Sequence, residues 1–163
     1  MIEVGRTAPV FTLLDGSGVK HAIKDLRGRA VVLYFYPKDS TSGCTTEALE
    51  FQAAFAAFKR AGASVFGISP DSVASHAKFA EAQGLAFPLL ADGRDKDDNP
   101  KVCLKYGVWQ EKSMYGRKYM GVVRTTYLLA PSGKVVKRWD KVKVSGHAAD
   151  VLAEVKALRK NTQ

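Results

Sequence analysis

The sequence contains few of the residues that form cross-links or bind metals, with only two cysteines and three histidines among 163 residues. Two cysteines are too few for the disulfide framework of a small secreted domain, and a chain of this length buries enough apolar surface to fold without one. No apolar run approaches the length that spans a bilayer, and the first residues lack the basic and then apolar blocks of a signal peptide. We therefore expect a single cytoplasmic domain over residues 1–163 that does not bind a membrane.

Motifs that would identify several other chemistries are also missing. Glu47 stands where a Cys-x-x-Cys disulfide oxidoreductase starting at Cys44 needs its second cysteine, and no phosphate-binding loop ends in Gly-Lys-Ser or Gly-Lys-Thr. One loop is acidic, but Pro100 stands where a calcium loop needs glycine. The members of this acidic loop are Asp92, Asp95, Asp97, Asp98 and Asn99. We expect it to be a solvated turn and predict no metal site.

The histidines do not lie in a pattern that marks a catalytic base. A cysteine hydrolase needs a histidine beside its nucleophile, and none of His21, His76 and His147 stands in a recognisable arrangement with Cys44. We expect these three to be surface or capping histidines. Assays of peroxide consumption and of ester hydrolysis would separate a peroxidase from a hydrolase.

The formal net charge of +9 comes largely from basic residues near the carboxyl end, including Lys134, Lys137, Arg138, Lys156 and Arg159. A solvated basic face explains such an excess more simply than a nucleic-acid site does, so we predict no nucleic-acid partner. A positive field of this size still attracts anionic partners.

The pattern of apolar residues predicts an α/β fold. Residues 30–36 and 63–69 are nearly continuous apolar runs, typical of buried parallel strands, and each is followed by a proline. Residues 125–129 and 135–139 flank a turn and predict a late hairpin, and the turn at residues 15–18 predicts a small N-terminal hairpin. Strands that alternate with helices imply parallel crossovers, so the early sheet is parallel and the late hairpin makes it mixed.

Four helices are predicted between and after these strands. The first has an apolar stripe at Ala48, Phe51, Phe55 and Phe58 and ends at Gly62, and the second has a cap at Asp71 or Ser72 and a stop at Gly84. The third has a cap at Asn99 followed by a first-turn Pro100. The fourth has the apolar face of Val151, Leu152, Val155 and Leu158. The expected fold is thioredoxin-like: a mixed central β-sheet flanked by helices on both faces, with an N-terminal β-hairpin.

Cys44 is placed at the start of the first predicted helix, directly after a buried strand. Ligands of open α/β sheets bind at the carboxyl ends of strands, and the free N–H groups of a helix start stabilise an anion. For a cysteine that anion is its own thiolate, which is the reactive form. Thr41 lies three residues earlier and has a hydroxyl within reach of the sulfur, while Gly43 allows close approach to a small ligand. Glu47 lies one turn further on, either as a capping-box acid or as a group that orients an arginine.

These residues resemble the peroxiredoxin family. Pro37, Thr41 and Cys44 match its Pro-x-x-x-Thr-x-x-Cys signature, and residues 34–39, Tyr-Phe-Tyr-Pro-Lys-Asp, look like the bacterioferritin-comigratory-protein or PrxQ subfamily. The similarity continues through residues 5–11, 105–109 and 121–126, and so covers nearly the whole chain.

The resemblance implies a thiol peroxidase whose catalytic residues are Pro37, Thr41, Cys44 and Arg124. The Cys44 thiolate would attack hydrogen peroxide or an organic hydroperoxide and become a sulfenic acid, with Arg124 stabilising the developing negative charge. A thiol such as thioredoxin, glutaredoxin or glutathione would then reduce it, with no cofactor. The subfamily also implies a monomer.

The sequence departs from this family in two places. Ser42 replaces a proline common in relatives, which would leave the loop less rigid. Leu49 stands where many relatives have a resolving cysteine, and the following helix has none. Cys103 is then the only candidate for a second reactive thiol, and its apolar neighbours Val102 and Leu104 favour a buried structural role. We predict a one-cysteine mechanism, with resolution by Cys103 as the alternative.

Overall fold

The computed structural model describes residues 1–161. Its strands are β1 (Thr12–Asp15), β2 (Lys20–Ala22), β3 (Ala30–Phe35), β4 (Ala63–Ser69), β5 (Leu89–Ala91), β6 (Trp109–Met114), β7 (Arg117–Val122), β8 (Thr125–Leu129) and β9 (Val135–Trp139). Its helices are α1 (Ser42–Arg60), α2 (Val73–Gln83), α3 (Lys101–Lys105) and α4 (His147–Asn161), with a short 3₁₀ turn at Ile23–Leu26. The last two residues of the predicted domain lie outside the described chain. No described helix combines the length and the apolar character that crossing a membrane requires.

Seven strands form a mixed sheet in the order β2-β1-β5-β4-β3-β8-β9. The β3–β4 and β4–β5 pairs are parallel, and the other pairs are antiparallel. The thioredoxin-like fold predicted from the sequence is therefore confirmed, including the N-terminal hairpin at one edge. Parallel β3 lies near the centre of the sheet, which puts its carboxyl end and the loop to α1 at the middle of one sheet edge.

The sheet separates two apolar cores. Side chains alternate along β3, so Val31, Leu33 and Phe35 pack into one core while Val32 and Tyr34 pack into the other. The second core also contains the buried faces of α1 and α4, and α3 packs into the first. All six residues of β3 are buried, as expected for a strand covered on both faces.

The sequence did not predict strands β5, β6 and β7. Strand β5 has three residues, too short to show a periodic pattern. Strands β6 and β7 form a separate two-stranded sheet, which we call the arm (residues 109–122). Most of the arm is exposed, with Tyr115 at its tip 99% exposed, so its sequence lacks the apolar alternation that marks a half-buried strand.

Two histidines and one aspartate that were expected at the surface are buried in the structure. The prediction of surface or capping histidines is wrong for His76 and His147, since both are buried with hydrogen-bond partners. Asp92 does not lie in a solvated turn, because its carboxylate accepts hydrogen bonds from the backbone N–H groups of Val102 and Cys103 and thereby caps α3. Helix α3 consequently begins after Pro100 without a side-chain cap from Asn99.

Candidate active site

Cys44 is the third residue of α1 and is only 1% exposed. The helix begins there because Thr41 has the extended backbone of an N-cap (φ −82°, ψ 155°), and its carbonyl accepts the first helical hydrogen bond from Thr45 at 2.9 Å. The sulfur therefore lies in the first helical turn, beside N–H groups that have no partner within the helix. The sequence prediction that Cys44 stands at the start of a helix directly after a buried strand is confirmed.

Arg124, between β7 and β8, reaches the sulfur from across the fold. Its Nη2 donates a hydrogen bond to Cys44 Sγ at 3.3 Å, and its Nη1 donates to Glu47 Oε1 at 2.6 Å. A cation with several fixed donors thus lies at the predicted nucleophile. Glu47 holds the guanidinium and is 1% exposed, so of its two predicted roles the structure agrees with orientation of an arginine.

Gly43 allows the guanidinium of Arg124 to reach the sulfur, whereas the sequence led us to expect a small ligand beside the Gly43 backbone. A Cβ atom built on Gly43 would lie 3.2 Å from Arg124 Nη2. The group that comes close to the Gly43 backbone is therefore the guanidinium.

Thr41 and Pro37 lie on the loop between β3 and α1, as the sequence predicts. The Thr41 hydroxyl donates its proton to the Lys38 carbonyl at 2.8 Å, so it does not donate to the sulfur. Because the oxygen keeps its lone pairs, it remains free to accept a hydrogen bond from a substrate. Pro37 is half-buried and follows β3 after one residue.

The Glu47–Arg124 pair joins a buried carboxyl group to a partly buried guanidinium. Burial raises the pKa of Glu47 to about 7, although the adjacent Arg124 opposes the rise. Burial also opposes the charge on Arg124, but Glu47 and Cys44 outweigh it and raise the pKa of the guanidinium, which stays cationic. Glu47 Oε2 has no hydrogen-bond partner among the described residues. The arginine is therefore the permanent charge at this site, and the carboxyl group is the one that titrates.

Lys112 of the arm is a second cation near the site, and no motif in the sequence points to it. Its ammonium group donates to the Val122 carbonyl at 2.7 Å, and its side chain lies across Gly121. Burial and the charge of Arg124 lower the pKa of Lys112, while Cys44 opposes that shift. The arm thus brings a second basic group toward the sulfur.

Cys103 lies on the other side of the sheet from Cys44. Each sulfur belongs to a different core, and the sheet stands between them. Both cysteines are free and buried, and a disulfide between them would need their Cα atoms to come within about 7 Å with the sheet between the two cores. Burial, and then the charge of Asp92, raises the pKa of the Cys103 thiol well above its usual value. These features agree with the buried structural thiol that the sequence favours.

Asp39, Asp71 and His76 form a cluster beside the loop, and the sequence did not single it out. Their ligand-type atoms lie within 4.8 Å of one another. Hydroxyl groups of Tyr36 and Ser69 donate to these carboxylates at 2.6 Å. The carboxylates are therefore already engaged in hydrogen bonds within the protein.

Comparison with known proteins places this site in a family context. Residues 4–138 match the AhpC/TSA family. The chain is 49% identical to peroxiredoxin Bcp of Xanthomonas campestris over 140 residues, 86% of this chain and 84% of that protein. It is 41% identical to peroxiredoxin Bcp of Bacillus subtilis over 155 residues, 95% and 96% of the two chains.

Solved structures give the same result. The bacterioferritin comigratory protein of X. campestris, studied in trapped intermediate and ligand complexes for its alkyl peroxide reduction activity, superposes with a TM-score of 0.83 at 46% identity. That match covers 91% of this chain and 92% of the other. A PrxQ variant from Xylella fastidiosa superposes with a TM-score of 0.87 at 37% identity, covering 96% and 97% of the two chains.

Proposed function

This chain belongs to the AhpC/TSA family and is a thiol peroxidase of the peroxiredoxin Bcp/PrxQ type, and we propose that it reduces hydroperoxides through Cys44 by a one-cysteine mechanism. The observation that carries the proposal is the hydrogen bond from Arg124 Nη2 to Cys44 Sγ at the start of α1. Hydrogen peroxide and organic hydroperoxides are the proposed substrates. The alkyl peroxide activity of the X. campestris relative supports the organic class.

In the first step the thiolate attacks the nearer oxygen of the peroxide along the O–O bond. An S–O bond forms and the O–O bond breaks, so the sulfur is oxidised to a sulfenic acid and the peroxide is reduced to an alkoxide or hydroxide. The leaving oxygen takes a proton from water and departs as alcohol or water. Arg124 stabilises the negative charge that grows on that oxygen. The hydroperoxide O–H donates a hydrogen bond to the Thr41 hydroxyl oxygen, which orients the substrate, and Pro37 shields the sulfur from water.

In the second step an external thiol attacks the sulfenic sulfur, releasing water and leaving a mixed disulfide. A second thiol then frees Cys44 and carries away the disulfide. The separation of Cys44 and Cys103 by the sheet supports an external reductant over the alternative in which Cys103 resolves Cys44. Thioredoxin, glutaredoxin and glutathione are the proposed reductant classes, and the protein acts as a monomer in the cytoplasm.

Peroxide consumption by the wild type, Cys44→Ser and Cys103→Ser tests this proposal, with each reductant supplied in turn. We expect Cys44→Ser to abolish turnover and Cys103→Ser to leave kcat/KM unchanged, because only Cys44 contacts a cation in an anion-stabilising position. Mass spectrometry after one equivalent of peroxide should show a sulfenic acid on Cys44. A quantitative Cys44–Cys103 crosslink would overturn the one-cysteine mechanism, and full turnover by Cys44→Ser would overturn the nucleophile.

A further inference from the structure

The loop from Tyr36 to Thr41 contains a strained backbone conformation that needs support from surrounding residues. Ser40 has φ of 64°, in the left-handed region that residues other than glycine seldom occupy. Such conformations persist where surrounding contacts hold them. Since Thr41 directly follows Ser40, whatever holds this turn also sets the position of the Thr41 hydroxyl.

Asp39, next to Ser40, is the best-held residue of this loop. Three side chains donate hydrogen bonds to its buried carboxylate: Tyr36 to Oδ1 at 2.6 Å, Ser75 to Oδ2 at 2.8 Å and His76 Nδ1 to Oδ2 at 2.7 Å. The backbone N–H of Asp39 donates to Asp71 Oδ2 at 2.8 Å. Helix α2 and the segment before it thus bind both the backbone and the side chain of Asp39.

The hydrogen-bond partners of His76 fit a ring that carries a proton on each nitrogen. Its Nε2 lies 3.0 Å from the Leu90 carbonyl, which only accepts, so Nε2 must hold a proton. Its Nδ1 faces the Asp39 carboxylate, which also accepts, so Nδ1 must hold one too. Hydrogen bonds from His76 and Tyr36 outweigh the effect of burial and leave the pKa of Asp39 lowered, in keeping with an ionised carboxylate. With His76 0% exposed, the result is a buried imidazolium–carboxylate pair.

We propose that Asp39 and His76 are positioning residues of the peroxidase, whose buried ion pair holds the strained loop so that Thr41 lies correctly for the peroxide at Cys44. The inference rests on the proposed roles of Thr41 and Cys44. Neither Asp39 nor His76 contacts the reacting atoms. They act through the loop, by tying it to α2.

The cluster has donor types that also suit a metal ion, but the hydrogen-bond pattern favours the ion pair. A metal ion bound by Asp39 Oδ2 and His76 Nδ1 would displace the proton between them, together with the hydrogen bond from Ser75. Ring-nitrogen NMR distinguishes the two directly, because a metal-bound Nδ1 carries no proton.

The test compares two reactions of the same sulfur. Peroxide reduction needs an oriented Thr41, whereas alkylation by iodoacetamide needs only an accessible thiolate. We expect Asp39→Ala to slow single-turnover peroxide reduction by about 10- to 100-fold, the usual effect of a displaced site, without slowing alkylation. Asp39→Asn keeps a hydrogen bond but removes the charge, and should recover only part of the peroxide rate, since an amide N–H can donate to a neutral His76 Nδ1 while the amide oxygen accepts from Tyr36. If Asp39→Ala does not fold, Ser75→Ala, which removes one donor to the same carboxylate, takes its place with a smaller expected loss.

A matched control is the Asp15–His21 pair on the N-terminal hairpin, where the same two residue types meet at 2.8 Å. We expect His21→Gln to leave both rates unchanged. In the wild type, ¹⁵N-edited NMR at neutral pH should show protons on both ring nitrogens of His76. A neutral or metal-bound His76 overturns the inference, and so does an unchanged peroxide rate in folded Asp39→Ala, or an Asp39→Asn variant as fast as the wild type. Lack of peroxidase activity in the wild type would contradict the proposed function instead, and the NMR result would still stand.

Discussion

Gly43 is the second residue of α1, and its bare Cα faces the guanidinium of Arg124. An alanine there would place a methyl group 3.2 Å from Nη2, closer than nearly all such contacts. The helix itself would tolerate or favour the change, since alanine is a better helix former than glycine by up to about 1 kcal/mol. Activity and stability are therefore expected to respond in opposite ways at this position.

We predict that Gly43→Ala lowers kcat/KM for peroxide by about tenfold, because the guanidinium is displaced from the Cys44 sulfur, where we propose that it stabilises the developing charge. The free energy of unfolding should stay the same or rise. Steady-state kinetics and urea unfolding of the same preparations measure the two effects. Gly93→Ala is the matched control, since a Cβ there meets no atom within 4 Å. Equal kinetics for Gly43→Ala and the wild type would show that Arg124 does not depend on this gap.

Residues of the site differ in how far the sequence could reveal them. Thr41, Gly43 and Cys44 are close in the sequence, so local spacing was enough to place them together at the start of α1. Arg124 lies 80 residues from Cys44, and only the family resemblance selected it. The Asp39–His76 pair was missed because a single histidine on a helix has no pattern that distinguishes a buried position from a surface one.

At the scale of elements, α3 depends on a residue outside it. The helix has only five residues and no side-chain cap of its own. Asp92, directly after β5, accepts hydrogen bonds from the N–H groups of Val102 at 3.2 Å and Cys103 at 2.7 Å. So short a helix is not stable alone, and its position is set by this carboxylate and by packing in the first core.

We predict that Asp92→Ala lowers the free energy of unfolding by about 2 kcal/mol or more, because it leaves two buried N–H groups without an acceptor. Asp92→Asn, which keeps one acceptor oxygen, should lose less. Asp92→Ala should also make Cys103 reactive toward iodoacetamide in the native protein, since burial and the charge of Asp92 keep its thiol protonated in the wild type. Urea unfolding and mass spectrometry measure these effects, with exposed Asp97→Ala as control. Wild-type stability in Asp92→Ala would show that packing alone holds α3.

Elements with a buried face could be predicted from the sequence, and those without one could not. Strands β3 and β4 are continuous apolar runs, and the apolar stripe of α1 is regular, so their bounds were nearly correct. The arm has buried residues only at its base, where Trp109 pairs with Val122. Its two strands pair through backbone hydrogen bonds, which do not require apolar and polar side chains to alternate along the sequence.

At the scale of the whole molecule, the sheet divides the reactive half from the structural half. Cys44, α1 and α4 lie on one face, and Cys103 and α3 lie on the other. Cys44 is nearly fully buried, so the proposed attack of an external thiol on its sulfenic acid requires the first turn of α1 to open. That opening exposes the sulfur on its own side of the sheet, where Cys103 is absent.

Two buried groups on the Cys44 side give the whole fold opposing responses to pH. Burial raises the pKa of Glu47 from 4.5 to about 7. Between these values the folded protein holds a proton that the unfolded chain has released, so this group stabilises the fold increasingly as the pH falls. Burial lowers the pKa of His147 from 6.5 to about 4. As the pH falls through that window the unfolded chain takes up a proton first, so this group stabilises the fold less. Each effect is about 3 kcal/mol over its full range.

We therefore predict that the wild type has a nearly constant free energy of unfolding between pH 6.5 and 4.5, because the two effects largely cancel in the range they share. The lowered pKa values of Asp15 and Asp39 act only below 3.8, and the raised pKa of Asp92 acts in the same direction as Glu47. Glu47→Gln, which still accepts from Arg124, should lose about 3 kcal/mol as the pH falls from 6.5 to 4. His147→Gln should instead gain stability as the pH falls from 7 to 4.5. Urea unfolding at half-unit pH steps measures both slopes, and slopes of the same sign in the two variants would contradict the opposition.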